Sequence, residues 1–182
     1  REAARRGAEV HLVAAPTHLD TPAGVTRHDV ISALEMRKEV VDLASDADVI
    51  IKAAAVADFR PASAADQKIK KSDGMPQMEL ERNPDILAEL GEQRSGSGVA
   101  RPLLVGFAAE TNDAEAHGRE KLDRKQADLL VVNDVSRQDA GFEVDTNRVV
   151  ILDRDGGRVE VPLTTKDEVA RRLLDQVAER LD

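Results

Sequence analysis

The chain has 182 residues, enough for one well-cored domain, and carries a formal net charge of −9. This acidic balance argues against partners such as nucleic acid or anionic membranes, and the lack of cysteine excludes disulfides, thiolate nucleophiles and cysteine metal sites. No apolar run approaches membrane-spanning length and no signal peptide is visible, so a cytoplasmic protein is expected.

The first third of the chain predicts alternating helices and strands. Gly7 is expected just beyond the end of a first helix, because glycine commonly follows helix C-termini. The continuous apolar run 48–55 is typical of a strand covered on both faces. Two further strands and a helix are predicted at residues 10–13, 25–30 and 32–44.

The chain begins inside a predicted helix, with no strand or glycine-rich turn before it. A doubly wound domain would place both features there. We therefore expect residues 1–182 to form a single domain that lacks the N-terminal strand and glycine-rich loop of its first βαβ unit.

The rest of the chain continues the alternation after a long loop, residues 60–76. Pro84 is suited to the first position of a helix, and Ser95-Gly-Ser-Gly suggests a flexible connection. Asp155-Gly-Gly predicts a hairpin between the strands 148–153 and 158–163. The other elements are strands at 77–81, 103–108 and 128–132, and helices at 113–126 and 165–181. The pattern predicts an α/β fold, a Rossmann-like three-layer domain with a mainly parallel sheet and a C-terminal antiparallel hairpin.

Four segments follow predicted strands and carry chemically useful residues: 53–59, the KIKK run 68–71, 106–111 and 133–134. Ligands of open α/β sheets bind beyond the carboxyl ends of the strands, so these segments are expected to meet at one edge. Small residues in AAAVADF would let a ligand approach the backbone, and Asp58 can hold a divalent cation or a hydroxyl group. The alternative interpretation is a packed strand that ends in an ordinary turn aspartate.

Five of the eight lysines fall in two short runs, at 68, 70 and 71 and at 121 and 125. Lysine binds phosphate as a mobile point charge, so these runs favour a polyphosphate substrate. Taken singly, each run also fits a solvated surface. The four histidines, His11, His18, His28 and His117, show no metal-ligand spacing and are interpreted as structural or exposed.

A set of motifs in a fixed order covers nearly the whole chain: RGAEVHLVAAP, VISALEM, AAVADFRP, KIKK, NPDIL, VGFAAET, REKLDRKQADLLVVND and GFEVDTNRVVIL. This set resembles the phosphopantothenoylcysteine synthetase family, found in bacteria as the C-terminal part of a bifunctional phosphopantothenoylcysteine decarboxylase/phosphopantothenate–cysteine ligase. The family's glycine-rich segment and Asn-Arg-Ser-Ser-Gly motif do not occur here.

The resemblance implies a ligase of coenzyme A biosynthesis. CTP, with Mg²⁺ or a similar divalent cation, activates 4′-phosphopantothenate as an acyl-cytidylate and releases pyrophosphate. L-Cysteine then displaces CMP. The resemblance also implies a homodimer and fusion to a flavin-dependent decarboxylase.

Family roles transfer to residues of this sequence by resemblance. Lys68 and the backbone near Ala55 would act in catalysis, and no metal ligand is assigned. The residues implied to contact CTP are Lys52, Ala53, Ala54, Asp58, Lys68, Pro84, Asp85, Ile86, Leu87, Phe107, Lys121 and Lys125.

Two other functions remain open from the residues alone. One is a Rossmann-like NAD(P)-binding oxidoreductase, but the chain has neither a Gly-x-Gly-x-x-Gly turn nor a tyrosine for a Tyr-x-x-x-Lys pair. The other is a non-catalytic dimerisation module, in which the lysine runs are plain surface. Preference for CTP, for NAD(P) or for no nucleotide would separate the three.

Overall fold

The computed structural model describes residues 1–63, 77–98, 101–110, 113–134 and 146–181. The KIKK run with Lys68 lies outside these ranges, as do residues 111–112. No helix of the described ranges combines the length and apolar character needed to cross a bilayer.

Helices and strands alternate through most of the described chain. The helices are α1 (Glu2–Arg5), α2 (Ala33–Ala44), α3 (Ile86–Ser97), α4 (Ala114–Arg124) and α5 (Lys166–Ala178). The strands are β1 (Val10–Ala14), β2 (Val25–Asp29), β3 (Val49–Lys52), β4 (Phe59–Pro61), β5 (Leu80–Arg82), β6 (Leu103–Glu110), β7 (Leu129–Asp134), β8 (Thr146–Asp153) and β9 (Arg158–Thr165).

The main sheet has five strands in the order β3-β6-β7-β8-β9. Strands β3, β6 and β7 are parallel, and β8 and β9 add the antiparallel hairpin. Two smaller sheets accompany it, a parallel pair β1-β2 and an antiparallel pair β4-β5. The predicted α/β class and the C-terminal hairpin are confirmed.

Two apolar cores cover the two faces of the main sheet. On one face, residues of α2, α3 and α4 pack on alternate strand positions such as Leu104, Leu130 and Leu152. On the other face, α5 packs on the intervening positions, which include Val105 and Val131. Because successive strand residues point to opposite faces, continuous apolar strands fill both cores, and the three-layer prediction is confirmed.

Three sequence-based boundaries need correction. Strand β3 ends at Lys52 rather than Ala55, because its pairing with β6 stops at Lys52–Gly106 and the following alanines are exposed. Pro84 is not the first residue of α3, since Asp85 is the N-cap and accepts a hydrogen bond from Ala88 N–H. Residues 95–97 are helical, and the left-handed Gly98 ends the helix.

Within the described residues, the parallel strands fall into two separate sheets. Strand β1 pairs with β2 and β3 pairs with β6, but the two sheets are not hydrogen-bonded to each other. They share one core nevertheless, because Val13 of β1 and Ile50 of β3 pack in the same cluster beneath α2. Helix α2 starts as predicted, with Ser32 and Glu35 forming a capping box.

Candidate functional site

A cavity of about 100 Å³ lies where the chain leaves the carboxyl end of β3. Segments that are distant in sequence form it: the end of β3, the residues that follow, the entrance to α3 and the end of α4. Its lining residues are Lys52, Val56, Ala57, Asp58, Asn83, Pro84, Asp85, Ile86 and Lys125. Six of these, Lys52, Asp58, Pro84, Asp85, Ile86 and Lys125, are residues that the sequence analysis assigned to nucleotide contact.

Two of the lining residues, Asp85 and Lys125, form an ion pair. The Nζ atom of Lys125 lies 3.2 Å from both carboxylate oxygens of Asp85. Burial acts to raise the pKa of Asp85, but attraction to Lys125 and the Ala88 N–H bond outweigh it and lower that pKa overall. Asp85 is therefore held as a carboxylate at the start of α3.

Lys52 brings a second cation to the same cavity. Burial lowers the pKa of Lys52, and repulsion from Lys125 lowers it further, against the attraction of Asp85 and Asp58. Its Nζ donates a hydrogen bond to the carbonyl of Ala54 at 3.3 Å. Two partly desolvated ammonium groups next to each other favour an anionic ligand, which would relieve their repulsion.

Two residues that sequence reasoning missed hold the cavity wall in place. Asn83 donates to the carbonyl of Ala57 at 2.9 Å, and its backbone N–H donates to the carbonyl of Asp58 at 2.8 Å. Arg60 donates to the Asn83 side chain at 3.0 Å and pairs with Glu81. The Asn-Pro-Asp motif was visible only as a helix start, and no local signal tied it to residues 57–60.

The other predicted site residues that the structure describes are not part of the cavity lining. Leu87 is buried beneath β6 against Gly106, and Phe107 is 39% exposed on the opposite face of that strand from Gly106. Lys121 forms an ion pair with Glu110 instead of pointing to Asp85. Ala53, Ala54 and Ala55 are exposed just after β3. Lys68 lies outside the described residues, so its predicted role stays a prediction.

A larger cavity, of about 190 Å³, lies at the amino ends of β6 and β7. Its two arginines are already neutralised, since Arg154 pairs with Asp128 and Arg180 pairs with Asp153. Ligands of such sheets bind at the carboxyl edge. The smaller cavity at Lys52 is therefore the better candidate site.

Comparison with known protein families identifies the family of the chain. Residues 1–181 match the model of the DNA/pantothenate metabolism flavoprotein C-terminal domain. The chain belongs to this family.

Two curated relatives that the chain resembles are bifunctional proteins. The chain is 44% identical over 177 residues to the coenzyme A biosynthesis bifunctional protein CoaBC of Bacillus subtilis, covering 97% of the chain and 42% of that protein. It is 42% identical over 183 residues to the Escherichia coli CoaBC protein, covering 99% of the chain and 44% of that protein. The chain thus spans less than half the length of these relatives.

Two solved structures of related proteins have the same fold as this chain. The crystal structure of the C-terminal domain of a CoaBC protein superposes with a TM-score of 0.81 at 39% identity, covering 99% of this chain and 78% of that one. The Streptococcus pneumoniae DNA/pantothenate metabolism flavoprotein superposes with a TM-score of 0.75 over 97% of this chain and 83% of that one. At 22% identity, the second match shows the fold alone.

In this family member, Gly91 sets how closely α3 approaches the end of α4. A Cβ atom at Gly91 would overlap the carbonyl oxygen of Lys125 and lie 3.0 Å from Cβ of Gln126. We expect Gly91→Ala to lower the free energy of unfolding by about 1–3 kcal/mol through overpacking. Because Lys125 must move, the position of the Lys125–Asp85 ion pair should change as well. Chemical denaturation followed by circular dichroism measures the first effect.

Gly96→Ala is the matched control, because it adds the same methyl group to the same helix. A Cβ atom at Gly96 meets no atom within 4 Å. Its free energy of unfolding should stay unchanged or rise by up to about 1 kcal/mol, as alanine favours helix over glycine. Equal losses in both variants would show that the α3–α4 contact is looser than described.

Proposed function

We propose that this chain is the synthetase domain of a CTP-dependent phosphopantothenate–cysteine ligase in coenzyme A biosynthesis. The observation that carries the proposal is the cavity at the end of β3, where Lys52 and Lys125 meet Asp58 and Asp85. Membership of a family whose relatives are named coenzyme A biosynthesis proteins supports the pathway. A cytoplasmic location, a homodimer and fusion to a flavin-dependent decarboxylase are part of the same proposal.

The charges of the cavity support a nucleoside triphosphate as ligand. Lys52 and Lys125 provide two cations within one cavity, and α3 begins beside them with its partial positive end. In this structure the Asp85 carboxylate pairs with Lys125 and accepts a hydrogen bond from the Ala88 N–H group in the first turn of α3. A phosphate group offers the same negative charge with more oxygen acceptors, so it can share or take over these donors.

A divalent cation is part of the proposed reaction, and the cavity offers two carboxylates that could help to bind it. Asp58 and Asp85 are carboxylates, the ligand type that Mg²⁺ prefers. Within the described residues, no group of three or more such side chains is placed to hold an ion alone. Mg²⁺ commonly binds through one or two carboxylates together with substrate phosphates. When bound, it would supply charge neutralisation at the phosphates.

The proposed chemistry sets a clear electrostatic task for the protein. The carboxylate of 4′-phosphopantothenate attacks the α-phosphate of CTP, and pyrophosphate leaves as the acyl-cytidylate forms. Both reactants are anions, so cations such as Lys52, Lys125 and Lys68 must offset their repulsion. The amine of L-cysteine then attacks the acyl carbon, and CMP leaves. Backbone groups near Ala55 are proposed to meet the negative charge that develops there.

Nucleotide preference tests the proposal. Calorimetric titration of the full-length parent with CTP, ATP and NADPH in the presence of Mg²⁺ should show tightest binding for CTP. The reason is that the cavity offers two cations, Lys52 and Lys125, for a triphosphate. Tightest binding of NADPH would overturn the ligase proposal in favour of an oxidoreductase. Absence of binding by any nucleotide would favour a non-catalytic module.

Among the described residues, β1 and β3 each have one edge that pairs with no other strand. Both strands belong to one core but are not hydrogen-bonded to each other. We extend the proposal to a parallel strand that lies between them in the longer parent protein and leads to the family's Asn-Arg-Ser-Ser-Gly motif, to which the resemblance assigns phosphopantothenate binding. Such a strand would complete the synthetase site.

Amide hydrogen exchange can detect this strand. In the full-length parent, the N–H groups of β1 and β3 that face the gap should exchange more slowly than in residues 1–182, because the added strand would accept their hydrogen bonds. The amides of β7 provide the control, since β7 is paired on both sides by β6 and β8. Equal exchange of β1 and β3 in the two proteins would contradict the inserted strand.

A further inference from the structure

Two histidines that show no ligand spacing in sequence face each other across β1 and β2. His11 pairs in register with Thr26, and His28 lies two residues further along β2, so the two side chains share one face. The Nδ1 atom of His11 lies 2.9 Å from the Nε2 atom of His28. No part of the proposed ligase reaction uses this pair, which is outside the lining of the Lys52 cavity.

The outer nitrogen of each ring is held by a carboxylate. His28 Nδ1 lies 2.6 Å from Glu39 Oε1 on α2, and His11 Nε2 lies 3.3 Å from Glu9 Oε1. A carboxylate on the far nitrogen fixes the ring and its tautomer, and it makes the near nitrogen a better electron donor. Metal-binding histidines in proteins almost always donate their other ring N–H to a carboxylate, a backbone carbonyl or water. Both near nitrogens here are therefore prepared as ligands.

We propose that His11 and His28 chelate a divalent transition-metal ion of the Ni²⁺ or Cu²⁺ type. Two nitrogens bound at about 2.0–2.1 Å and at right angles to one ion lie about 2.9 Å apart, which matches the separation of these two nitrogens. Right angles between neighbouring ligands are typical of tetragonal and square-planar Ni²⁺ and Cu²⁺, whereas tetrahedral Zn²⁺ needs a wider separation.

Both rings must turn before the two nitrogens can bind one ion. The ring centroids are 5.1 Å apart and the rings are inclined by 42°, so the two nitrogens meet nearly end to end, as in a shared N–H···N bond. The His11 side chain is 38% exposed and can rotate to aim its lone pair at an ion beside His28. The ion replaces the shared proton, and water completes its coordination, since the described residues contain no cluster of three or more potential ligands.

Titration with NiCl₂ alone tests the chelate. The protein is stripped with EDTA, carries no histidine tag and is studied by calorimetry in a buffer that does not bind metal. We expect one Ni²⁺ per chain, with binding at least tenfold weaker in His11→Ala and in His28→Ala. His18→Ala and His117→Ala are the controls and should bind like the unchanged protein. Absence of Ni²⁺ binding, or equal binding in all four variants, would overturn the chelate and leave only a shared proton.

A fifth variant separates metal binding from mere folding of the β1–β2 pair. Glu39→Gln keeps both histidines but replaces the carboxylate that supports His28. Removal of such a supporting partner typically weakens metal affinity by about 10–100-fold, so this loss is expected here. The circular dichroism spectrum should stay that of the unchanged protein. Unchanged Ni²⁺ affinity in this variant would contradict the role of His28 as a prepared ligand.

Discussion

Replacing Asp128 with alanine is expected to lower the free energy of unfolding by about 3–5 kcal/mol. Asp128 pairs with the buried Arg94 and also accepts a 2.7 Å hydrogen bond from the backbone N–H of Leu104. The side chain of Arg94 is only 7% exposed, so the variant removes a carboxylate from beside a buried guanidinium charge. Urea unfolding followed by circular dichroism measures the loss, since the chain has no tryptophan or tyrosine for fluorescence.

Asp48→Ala is the matched control for this prediction. Asp48 also forms an ion pair with an arginine, Arg101, but their side chains are 71% and 50% exposed. Exposed pairs contribute about 0–1 kcal/mol, so this variant should unfold close to the unchanged protein. A small and equal loss in both variants would mean that Arg94 reaches water or another acceptor when Asp128 is removed.

Replacing Lys68 with alanine is expected to slow acyl-cytidylate formation by about a hundredfold or more in the full-length parent. The reason is that a positioned cation used mainly at the transition state lowers the barrier for joining two anions. Lys68 lies outside the described residues, so this expectation depends on the KIKK motif and on the proposed function. The measurement is the rate of pyrophosphate release from CTP, with thermal unfolding recorded alongside.

Lys38→Ala is the control, because it removes one lysine charge from the exposed side of α2. Lys38 pairs with Asp42, and their side chains are 74% and 56% exposed, outside the lining of the Lys52 cavity. Its rate of pyrophosphate release should match that of the unchanged protein. An unchanged rate in Lys68→Ala as well would show that the KIKK run is only a surface patch.

The sequence by itself determined the fold class and the order of most elements, but it missed strand β4, Phe59–Pro61, which overlaps the predicted loop 60–76. Apolar strands, the Ser32 cap and the Asp155-Gly-Gly turn are local signals, and the structure follows them because each depends on neighbouring residues. The motif order also pointed to the family that the comparisons show. Local signals failed at residues 95–97, where Arg94 and the Ser95–Gln126 hydrogen bond anchor a Ser- and Gly-rich segment as helix.

Only the tertiary structure decided which charged groups meet. Lys121 and Lys125 are four residues apart, yet Lys125 lies at the end of α4 and reaches Asp85, while Lys121 reaches Glu110. Asn83 donates hydrogen bonds to the carbonyls of residues 57 and 58, which lie 25 or more positions earlier in the sequence. A contact over that distance leaves no periodic pattern in the sequence.

The histidine pair and the split of the sheet have the same physical origin. His11 and His28 become neighbours only through the register of β1 on β2, which long-range packing sets rather than residue spacing. The separation of β1 from β3 likewise depends on which strands find hydrogen-bonding partners, and the local pattern of each strand is the same in either case. The local sequence pattern therefore predicts where most helices and strands lie. Which residues meet between those elements depends on the free energy of packing and strand pairing.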